Sequence, residues 1–348
     1  MKKKRTLIFL QNEVGGAERI SVLIGKKLPY DFYDVKFCLV ERANSSTISD
    51  FIPDSYPILF VPNASPLKMI WHLYCTIIKE HPQVVFSSVM YLNTKILSFS
   101  YFFPSIRFVI RCDNYLYTFN KRQRMFMRFS YCMADEIIAQ TEEMKDELVN
   151  QLHINYSKIR VIHNPVDVEL IDHFIKIGNN PYLPNGKKRY VSVGRFAYQK
   201  GYDLLIKAFY EIVKKRDSVE LYIVGDINYN GGGFYREVMA LVHNMGIEDI
   251  VHCAGYQKNP YTYIKYADCF VLSSRWEGLP NVLNESLYLG TPVAAFECVP
   301  VVERMVKDGV NGFLAEKESV ASLAKAMQNA LTLGKIKPTC YQNQTIEL

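Results

Sequence analysis

Residues 269–296, CFVLSSRWEGLPNVLNESLYLGTPVAAF, contain one complete strand–helix–strand pattern. Cys269–Leu272 and Pro292–Phe296 are short apolar runs, and Pro280 between them fits the first turn of a helix. Two such runs joined by a helix predict a βαβ unit, in which parallel strands form a sheet and the helix covers one of its faces. This stretch therefore predicts an α/β fold.

The same alternation of short apolar runs and helical segments continues through nearly the whole chain. In the first half the predicted strands are Thr6–Leu10, Val35–Val40, Tyr56–Val61, Val84–Ser87, Arg107–Ile110, Glu136–Ala139 and Ile159–Ile162. In the second half they are Tyr190–Val193, Glu220–Val224, Val251–Ala254, Cys269–Leu272, Pro292–Phe296 and Gly312–Leu314. We expect two Rossmann-like, doubly wound parallel-sheet domains that face each other across a cleft.

A concentration of Pro, Asn and Gly between Asn164 and Lys188 separates the two halves. Such residues break helices and strands, so this segment predicts a linker. The predicted organisation is a first domain at 1–165, a linker at 166–188, a second domain at 189–330 and a tail at 331–348. The tail could return to the first domain, although Gly334 and Pro338 prevent a continuous helix there.

Composition excludes several classes of protein. The 348 residues are 49% apolar and 22% charged, which is ordinary for a folded globular protein of about two domains. A net charge of +6 falls short of the footprint of a nucleic-acid-binding protein, and we expect no nucleic-acid partner. The eight cysteines include no CxxC pair, so we expect reduced thiols in the cytoplasm. The apolar run after Lys2–Arg5 is too short for a signal peptide, and no segment predicts a membrane-spanning helix.

The loop and helix after Leu272 carry two carboxylates. Glu277 is expected in the loop and Glu285 about two helical turns further on, so that both reach one cleft at different depths. Carboxylates accept hydrogen bonds from sugar and ribose hydroxyls, and the free N–H groups of Gly278 and Leu279 suit phosphate oxygens. The same pattern is also typical of an acid at a helix N-terminus followed by an ordinary solvated glutamate.

Two further turns have the composition of phosphate-binding loops. Gly194 and Arg195 follow one predicted strand, and Lys200 comes five residues after Arg195, so both cations can approach one diphosphate. Gly15 and Gly16 lie between the first strand and an apolar run, where a helix N-terminus offers N–H groups to an anion. Taken alone, the glycine pair is equally compatible with a plain tight turn, and Arg195 and Lys200 fit ordinary surface residues better than a phosphate site.

Together, these motifs resemble those of the retaining glycosyltransferases of the GT-B fold, specifically family four (group 1), which includes many bacterial capsule and O-antigen sugar transferases. The matching segments are Gly15–Arg19, Asn164–Asp167, Val193–Arg195 with Lys200–Gly201, Val224–Asp226, Ala267–Asp268, Ser273–Asn281 with Glu285, Leu289–Val293 and Asp308–Gly312. Their order and spacing agree over most of the chain, most strongly from about Tyr190 to Leu314. The resemblance implies an acceptor-binding domain at 1–165 and a nucleotide-sugar-binding domain at 189–330.

The resemblance also implies roles for individual residues. Arg195 and Lys200 correspond to cations that stabilise the departing diphosphate, and Glu277 to the residue that contacts and orients the transferred sugar. Glu285 corresponds to the residue that accepts hydrogen bonds from the ribose hydroxyls. The other residues expected around the donor are Gly16, Gly194, Tyr256, Gln257, Gly278, Leu279 and Asn281.

The chain departs from the family pattern in the first domain. Many members have a His on a loop after a strand near the transferred sugar, whereas the corresponding stretch here, Ile110–Asn114, contains none. We expect Arg111 or Asp113 to take that place. No Asp-x-Asp triplet and no clustered His residues occur, so we expect no metal and no other cofactor.

The segment from Tyr115 to Met133 mixes Lys and Arg with aromatic residues and Met. As a helix it would be basic and amphipathic, which is typical of contact with an anionic membrane or a lipid diphosphate, and equally of a solvated helix covering a sheet. We expect Lys121–Arg128, together with Lys2–Arg5, to contact an anionic membrane surface on the inner face of the cytoplasmic membrane.

The sequence and its resemblance predict a metal-independent enzyme that moves a sugar from a nucleotide diphosphate, expected to be UDP, to a hydroxyl of a lipid-linked glycan. The anomeric configuration would be retained, and the leaving phosphate oxygen would take the acceptor proton. Two alternatives stay open at this point. One is a nucleotide-sugar epimerase of the same fold, and the other is a nucleotide-sugar-binding subunit without turnover.

Overall fold

The computed structural model describes residues 3–41, 47–215, 218–339 and 341. They form two compact units, the first ending at Pro165 and the second extending from Val166 to Tyr341. Each unit consists of one parallel β-sheet with helices packed against it. The predicted α/β class with two doubly wound sheets is therefore confirmed, while the cleft between the domains stays a prediction.

The first sheet has seven parallel strands in the order β3-β2-β1-β4-β5-β6-β7. They are β1 (Lys4–Gln11), β2 (Tyr33–Val40), β3 (Ile58–Val61), β4 (Val84–Ser87), β5 (Arg107–Arg111), β6 (Glu136–Ala139) and β7 (Ile159–Val161). All seven strands predicted in this half are present. β3 begins later than predicted because Pro57 has no N–H group to donate to the sheet, although its carbonyl still accepts a hydrogen bond from Phe37 N at 3.0 Å.

Five helices cover the first sheet: α1 (Gly16–Lys27), α2 (Pro66–Glu80), α3 (Met90–Leu97), α4 (Lys121–Tyr131) and α5 (Glu142–Leu152). α1 packs closely on the sheet, since a Cβ at Gly25 would lie only 2.6 Å from the Phe37 ring. α5 begins where the sequence predicts, because the Thr141 hydroxyl accepts a hydrogen bond from Met144 N at 3.2 Å and caps the helix.

The second sheet has six parallel strands in the order β10-β9-β8-β11-β12-β13. They are β8 (Lys188–Val193), β9 (Val219–Val224), β10 (Val251–Gly255), β11 (Cys269–Leu272), β12 (Val293–Phe296) and β13 (Gly312–Ala315). The helices of this unit are α6 (Val168–Ile177), α7 (Tyr202–Val213), α8 (Gly233–Asn244), α9 (Tyr261–Tyr266), α10 (Asn281–Tyr288), α11 (Pro300–Met305) and α12 (Val320–Ala330). All six strands predicted here are present.

The segment predicted as a linker, 166–188, contains helix α6 and is grouped with the second unit. Asp167 caps α6 by accepting a hydrogen bond from Leu170 N at 3.2 Å, and Ile171 is fully buried. The prolines and asparagines that predicted a linker lie outside this helix, at Pro165 and at 179–185.

The tail predicted at 331–348 lies against the second unit as far as the structure describes it. Ile336 N and Thr339 N donate to the carbonyl oxygens of Gly290 and Leu287, both at 3.0 Å. Lys335 Nζ donates to two further carbonyl oxygens and to Thr291 Oγ1. Residues 340 and 342–348, on which the predicted return to the first domain depends, lie outside the described residues.

Candidate active site

The order of strands in the second sheet reverses between β8 and β11. From β8 the chain adds β9 and β10 on one side, and from β11 it adds β12 and β13 on the other. In open parallel sheets, ligands bind beside the carboxyl ends of the strands at such a switch point. The loop after β8 contains Arg195 and Lys200, and the loop after β11 contains Glu277. The topology therefore brings the predicted cations and the predicted carboxylate to one place.

Two glycines permit the close approach of these loops. A Cβ at Gly225 would lie 1.8 Å from the carbonyl oxygen of Gly194, so only glycine allows the turns after β8 and β9 to touch. Gly201 has a φ of +62°, and a Cβ there would lie 2.1 Å from the carbonyl oxygen of Ser273. Because these contacts involve backbone atoms, neither site can relax by moving a side chain.

Lys200 and Glu277 form an ion pair across the two loops. Lys200 Nζ lies 2.7 Å from Glu277 Oε1, and the Ser274 hydroxyl donates to the same oxygen at 2.6 Å. The side chains are only 16% and 9% exposed, respectively, so water screens the pair weakly. The structure thus unites two of the three residues predicted to be catalytic, and it adds Ser274, to which the sequence analysis gave no role.

Arg275 fastens the two loops together, and the sequence analysis also gave it no role. Its guanidinium makes a two-pronged contact with the Asp203 carboxylate at 2.9 and 2.7 Å and donates to the carbonyl oxygen of Tyr198. Burial by itself lowers the Arg275 pKa, but the hydrogen bonds and charge of Asp203 outweigh it, and the pKa is raised above its ordinary value. The guanidinium therefore stays charged and holds the Lys200 loop against the Glu277 loop.

Arg195, the third predicted catalytic residue, is half-buried beside the segment after β9. Its guanidinium lies 4.7 Å from the centre of the Tyr229 ring, within the range of a cation–π interaction. The sequence analysis assigned no role to Tyr229 or to residues 230–233 after it. The structure shows that the residue just before them contacts the predicted phosphate-binding arginine.

Except for Gly16, the remaining residues predicted to bind the donor follow the carboxyl ends of strands in the same sheet. Gly278 and Leu279 are buried in the loop after β11, and Glu285 is half-buried in α10, as predicted. Pro280 differs from the prediction by one position, since it precedes α10 as the N-cap residue and Asn281 is the first helical residue. The loop after β10 exposes Tyr256, whereas Gln257 donates to the carbonyl oxygen of Ala254 at 2.7 Å.

The predicted residues of the first unit lie at the carboxyl edge of its sheet. Gly16 is the first residue of α1 and is exposed, whereas Arg111 ends β5 and is 2% exposed. Arg111 donates to the Asn164 side chain, and burial lowers the Arg111 pKa to about 10, against the opposing charge of Asp113. In this structure Arg111 therefore holds the segment after β7, and Asp113 is half-buried two residues further on.

Within residues 3–41, 47–215, 218–339 and 341, no group of three or more His, Cys, Asp or Glu side chains is arranged to hold a metal ion. Among the helices of those same ranges, none combines the length and the apolar character needed to span a bilayer.

Comparison with known proteins agrees with the geometry. Residues 14–170 match the model of Glycosyltransferase Family 4, and residues 176–345 match that of Glycosyl transferases group 1. The two matches leave only short segments uncovered. The chain belongs to the group 1 glycosyltransferases of family 4.

Relatives of this glycosyltransferase occur in bacteria and archaea. It is 30% identical over 177 residues to an uncharacterized glycosyltransferase of Methanocaldococcus jannaschii, a match covering 49% of this chain and 42% of that protein. It is 24% identical to the UDP-Gal:alpha-D-GlcNAc-diphosphoundecaprenol alpha-1,3-galactosyltransferase of Escherichia coli, over 94% of this chain and 87% of that one. Anabaena HepE, solved in complex with UDP-glucose, superposes with a TM-score of 0.78 at 20% identity, covering 95% of this chain and 92% of HepE. The likeness to HepE shows that this glycosyltransferase has the GT-B fold.

Proposed function

We propose that this glycosyltransferase moves a sugar from a UDP-sugar to a hydroxyl of a lipid-linked glycan, with retention of the anomeric configuration, in the synthesis of a bacterial surface polysaccharide. The observation that carries the proposal is the Lys200–Glu277 pair at the switch point of the second sheet. It joins a cation suited to a diphosphate with a carboxylate suited to sugar hydroxyls, in a family that transfers sugars.

The proposed chemistry needs no covalent intermediate with the protein. The bond between the anomeric carbon and the donor phosphate oxygen breaks, and the acceptor hydroxyl oxygen bonds to that carbon on the same face. The hydroxyl proton passes to the departing phosphate oxygen. Arg195 and Lys200 stabilise the charge that develops on the diphosphate, and Glu277 orients the sugar through its hydroxyls.

The proposed classes of donor and acceptor are inferred from the relatives of this chain. The name of the Escherichia coli relative specifies UDP-galactose and an acceptor linked to diphosphoundecaprenol, and HepE binds UDP-glucose in its crystal structure. By analogy, we place the reaction of this chain at the cytoplasmic face of the membrane. We also propose that Arg195 and Lys200 take the place of a divalent ion at the diphosphate, so that EDTA leaves the transfer rate unchanged.

Thermal unfolding in the presence of nucleotide sugars tests the donor site. A ligand that binds only the folded state at about 100 times its Kd stabilises that state by about 2.7 kcal/mol. We expect UDP-sugars to raise Tm by several degrees, GDP-, ADP- and CMP-sugars to have no such effect, and Arg195→Ala and Glu285→Ala to abolish the shift. The exposed Lys207→Ala, on α7 and outside both loops, is the matched control.

Transfer to a polyprenyl-diphosphate sugar, followed by NMR of the product linkage, tests the reaction itself. Retention predicts that the α-linked donor sugar stays α-linked. An inverted linkage would overturn the mechanism, and an epimerised donor formed without acceptor would replace transferase by epimerase. Donor binding without transfer to any lipid-linked acceptor would point to a subunit without turnover.

A further inference from the structure

Helices α2, α3, α4 and α5 form one layer on one face of the first sheet. The chain adds β4, β5, β6 and β7 in a single direction after β3, and right-handed crossovers in one direction place their helices on the same face. Neighbouring helices of the layer pack side by side, α2 with α3, α3 with α4, and α4 with α5. Their outer sides therefore share one surface of the unit.

That surface exposes large apolar side chains. In α4, Phe126 and Phe129 are 51% and 68% exposed, and in the turn after α3, Tyr101 and Phe102 are 82% and 69% exposed. On α2, Trp71 is also exposed. Isolated apolar residues at a surface are normal, but several large ones on one helical layer mark an interaction site.

Aromatic contacts join the turn after α3 to helix α2. Trp71 stacks on Tyr74 with ring centres 5.8 Å apart, and Tyr74 contacts Phe99 and Phe103 at 5.6 and 5.4 Å. Phe99 and Phe103 flank the turn and anchor it, so the exposed rings of Tyr101 and Phe102 do not arise from a loose segment. The packing of Tyr74 against Phe99 and Phe103 therefore fixes the turn that exposes Tyr101 and Phe102.

The same region carries a strong positive charge. Helices α2, α3 and α4 together contain seven Lys and Arg but only one acidic residue, Glu80, whereas α5 at the edge of the layer has one Lys and four Asp and Glu. On the exposed side of α4, the cationic residues Arg122 and Arg128 lie among the apolar residues Met125, Phe126 and Phe129. Cations interleaved with aromatic residues match an interface of anionic headgroups and acyl chains.

The positive charge of this surface distinguishes between a second copy of the chain and a lipid bilayer as its binding partner. In a symmetric dimer through this layer, the same patch would face itself and bring two cationic surfaces together. An anionic bilayer offers instead both the negative potential and the apolar boundary that these side chains need.

We propose that the outer face of this layer, formed by Tyr101, Phe102, Arg122, Phe126, Arg128 and Phe129 and here called the α2–α4 face, binds an anionic lipid bilayer. The aromatic rings enter the boundary between headgroups and acyl chains, and the arginines contact headgroup phosphates. The inference deepens the proposed function, because a lipid-linked acceptor is presented at such a surface. It does not include the membrane contact predicted for Lys2–Arg5, because Lys3 and Lys4 lie over the rings of Tyr30 and Tyr33 and not on this layer.

Cosedimentation of the full-length protein with vesicles tests the proposal. The vesicles are phosphatidylcholine alone or phosphatidylcholine with 30% phosphatidylglycerol, without donor or acceptor. We expect at least about tenfold stronger partitioning onto the anionic vesicles, weakening as salt increases. Phe126→Ser/Phe129→Ser and Arg122→Glu/Arg128→Glu should each reduce partitioning about tenfold. Trp71 reports insertion by a blue shift of its fluorescence in a Trp276→Phe background.

Two control pairs separate this face from general charge and hydrophobicity. Phe32→Ser/Phe60→Ser removes exposed rings of the same unit outside the layer, and Lys207→Glu/Lys325→Glu reverses exposed charges of the second unit. Both should bind vesicles like the unaltered chain. Unaltered melting temperatures of the α4 variants show that they fold.

Three results would overturn the proposal. The unaltered protein would not bind anionic vesicles at low salt, the control pairs would lose as much binding as the α4 pairs, or sedimentation would reveal a dimer that only the phenylalanine substitutions dissociate. Because the assay contains no nucleotide sugar, failure here with an intact UDP-induced shift in Tm refutes the membrane surface alone. The opposite pattern refutes the donor site alone.

Discussion

Lys200 and Glu277 are bound to each other in the structure, yet each is also proposed to contact the donor. Lys200→Met would leave the Glu277 carboxylate buried without its cation, which costs about 3 kcal/mol of folding free energy. It would also remove a cation from the departing diphosphate and lower kcat by about 10²–10³-fold. Urea unfolding and transfer kinetics of the same samples measure the two effects.

The double variant Lys200→Met/Glu277→Gln separates structure from catalysis. A neutral amide no longer needs the cation, so we expect most of the folding stability to return while kcat stays low. Recovery of activity together with stability would show that Lys200 acts only by holding the loop. We expect the Ser274 hydroxyl, which donates to Glu277 Oε1 in the unaltered chain, to donate to the amide oxygen in the Glu277→Gln variant as well.

The Tyr229 ring contacts the Arg195 guanidinium, with 4.7 Å between the guanidinium carbon and the ring centre. Tyr229→Ala removes a cation–π interaction of about 0.5–1 kcal/mol, so we expect donor KM to rise about two- to fivefold with little change in kcat. Tyr229→Phe keeps the ring and should leave KM unaltered. An equal rise in KM for both variants would assign the effect to the hydroxyl instead.

At this scale the sequence predicts the residues that match motifs but not those that support them. Lys200, Glu277 and Arg195 stand in recognisable patterns. Arg275, by contrast, acts through Asp203, which is 72 positions away in the chain. No local pattern reveals such a partner, because the contact exists only once β8 and β11 are neighbours in the sheet.

At the scale of elements, all predicted strands are present because parallel strands buried on both faces are nearly continuous apolar runs. The sequence analysis did not predict helix α6 within the segment 166–188. Helix α6 is short and exposes much of its surface, so the surrounding prolines and asparagines dominated the pattern. The capping residue Asp167 is the local signal that could have revealed the helix.

The cap of α6 offers a test at this scale. Asp167→Ala removes the hydrogen bond to Leu170 N, and we expect it to lower the free energy of unfolding by about 1 kcal/mol. Asp167→Asn retains a capping oxygen and should restore most of the loss. Urea denaturation of the three proteins measures this, and equal destabilisation by both substitutions would show that charge, not capping, is what Asp167 contributes.

At the scale of the molecule, the predicted donor residues other than Gly16 all belong to the second unit. Residues 166–341 have their own six-stranded sheet, in which β9, β11 and β12 are largely buried and the edge strands β10 and β13 are partly buried. Their number falls within the usual size of a single domain, about 50–250 residues. The second unit therefore contains a core of its own together with most of the residues proposed to bind the donor, while the proposed acceptor residues are encoded before Pro165.

We therefore expect the second unit, produced alone, to unfold cooperatively and to bind UDP but to transfer no sugar. A UDP-induced rise in Tm measures binding, and the same fragment with Lys200→Met should lose that rise. Weaker UDP binding than in the full chain would indicate that the first unit contributes to the affinity. Sugar transfer by the fragment would contradict the assignment of the acceptor to the first unit, and a fragment that fails to fold would show that the second core depends on the first.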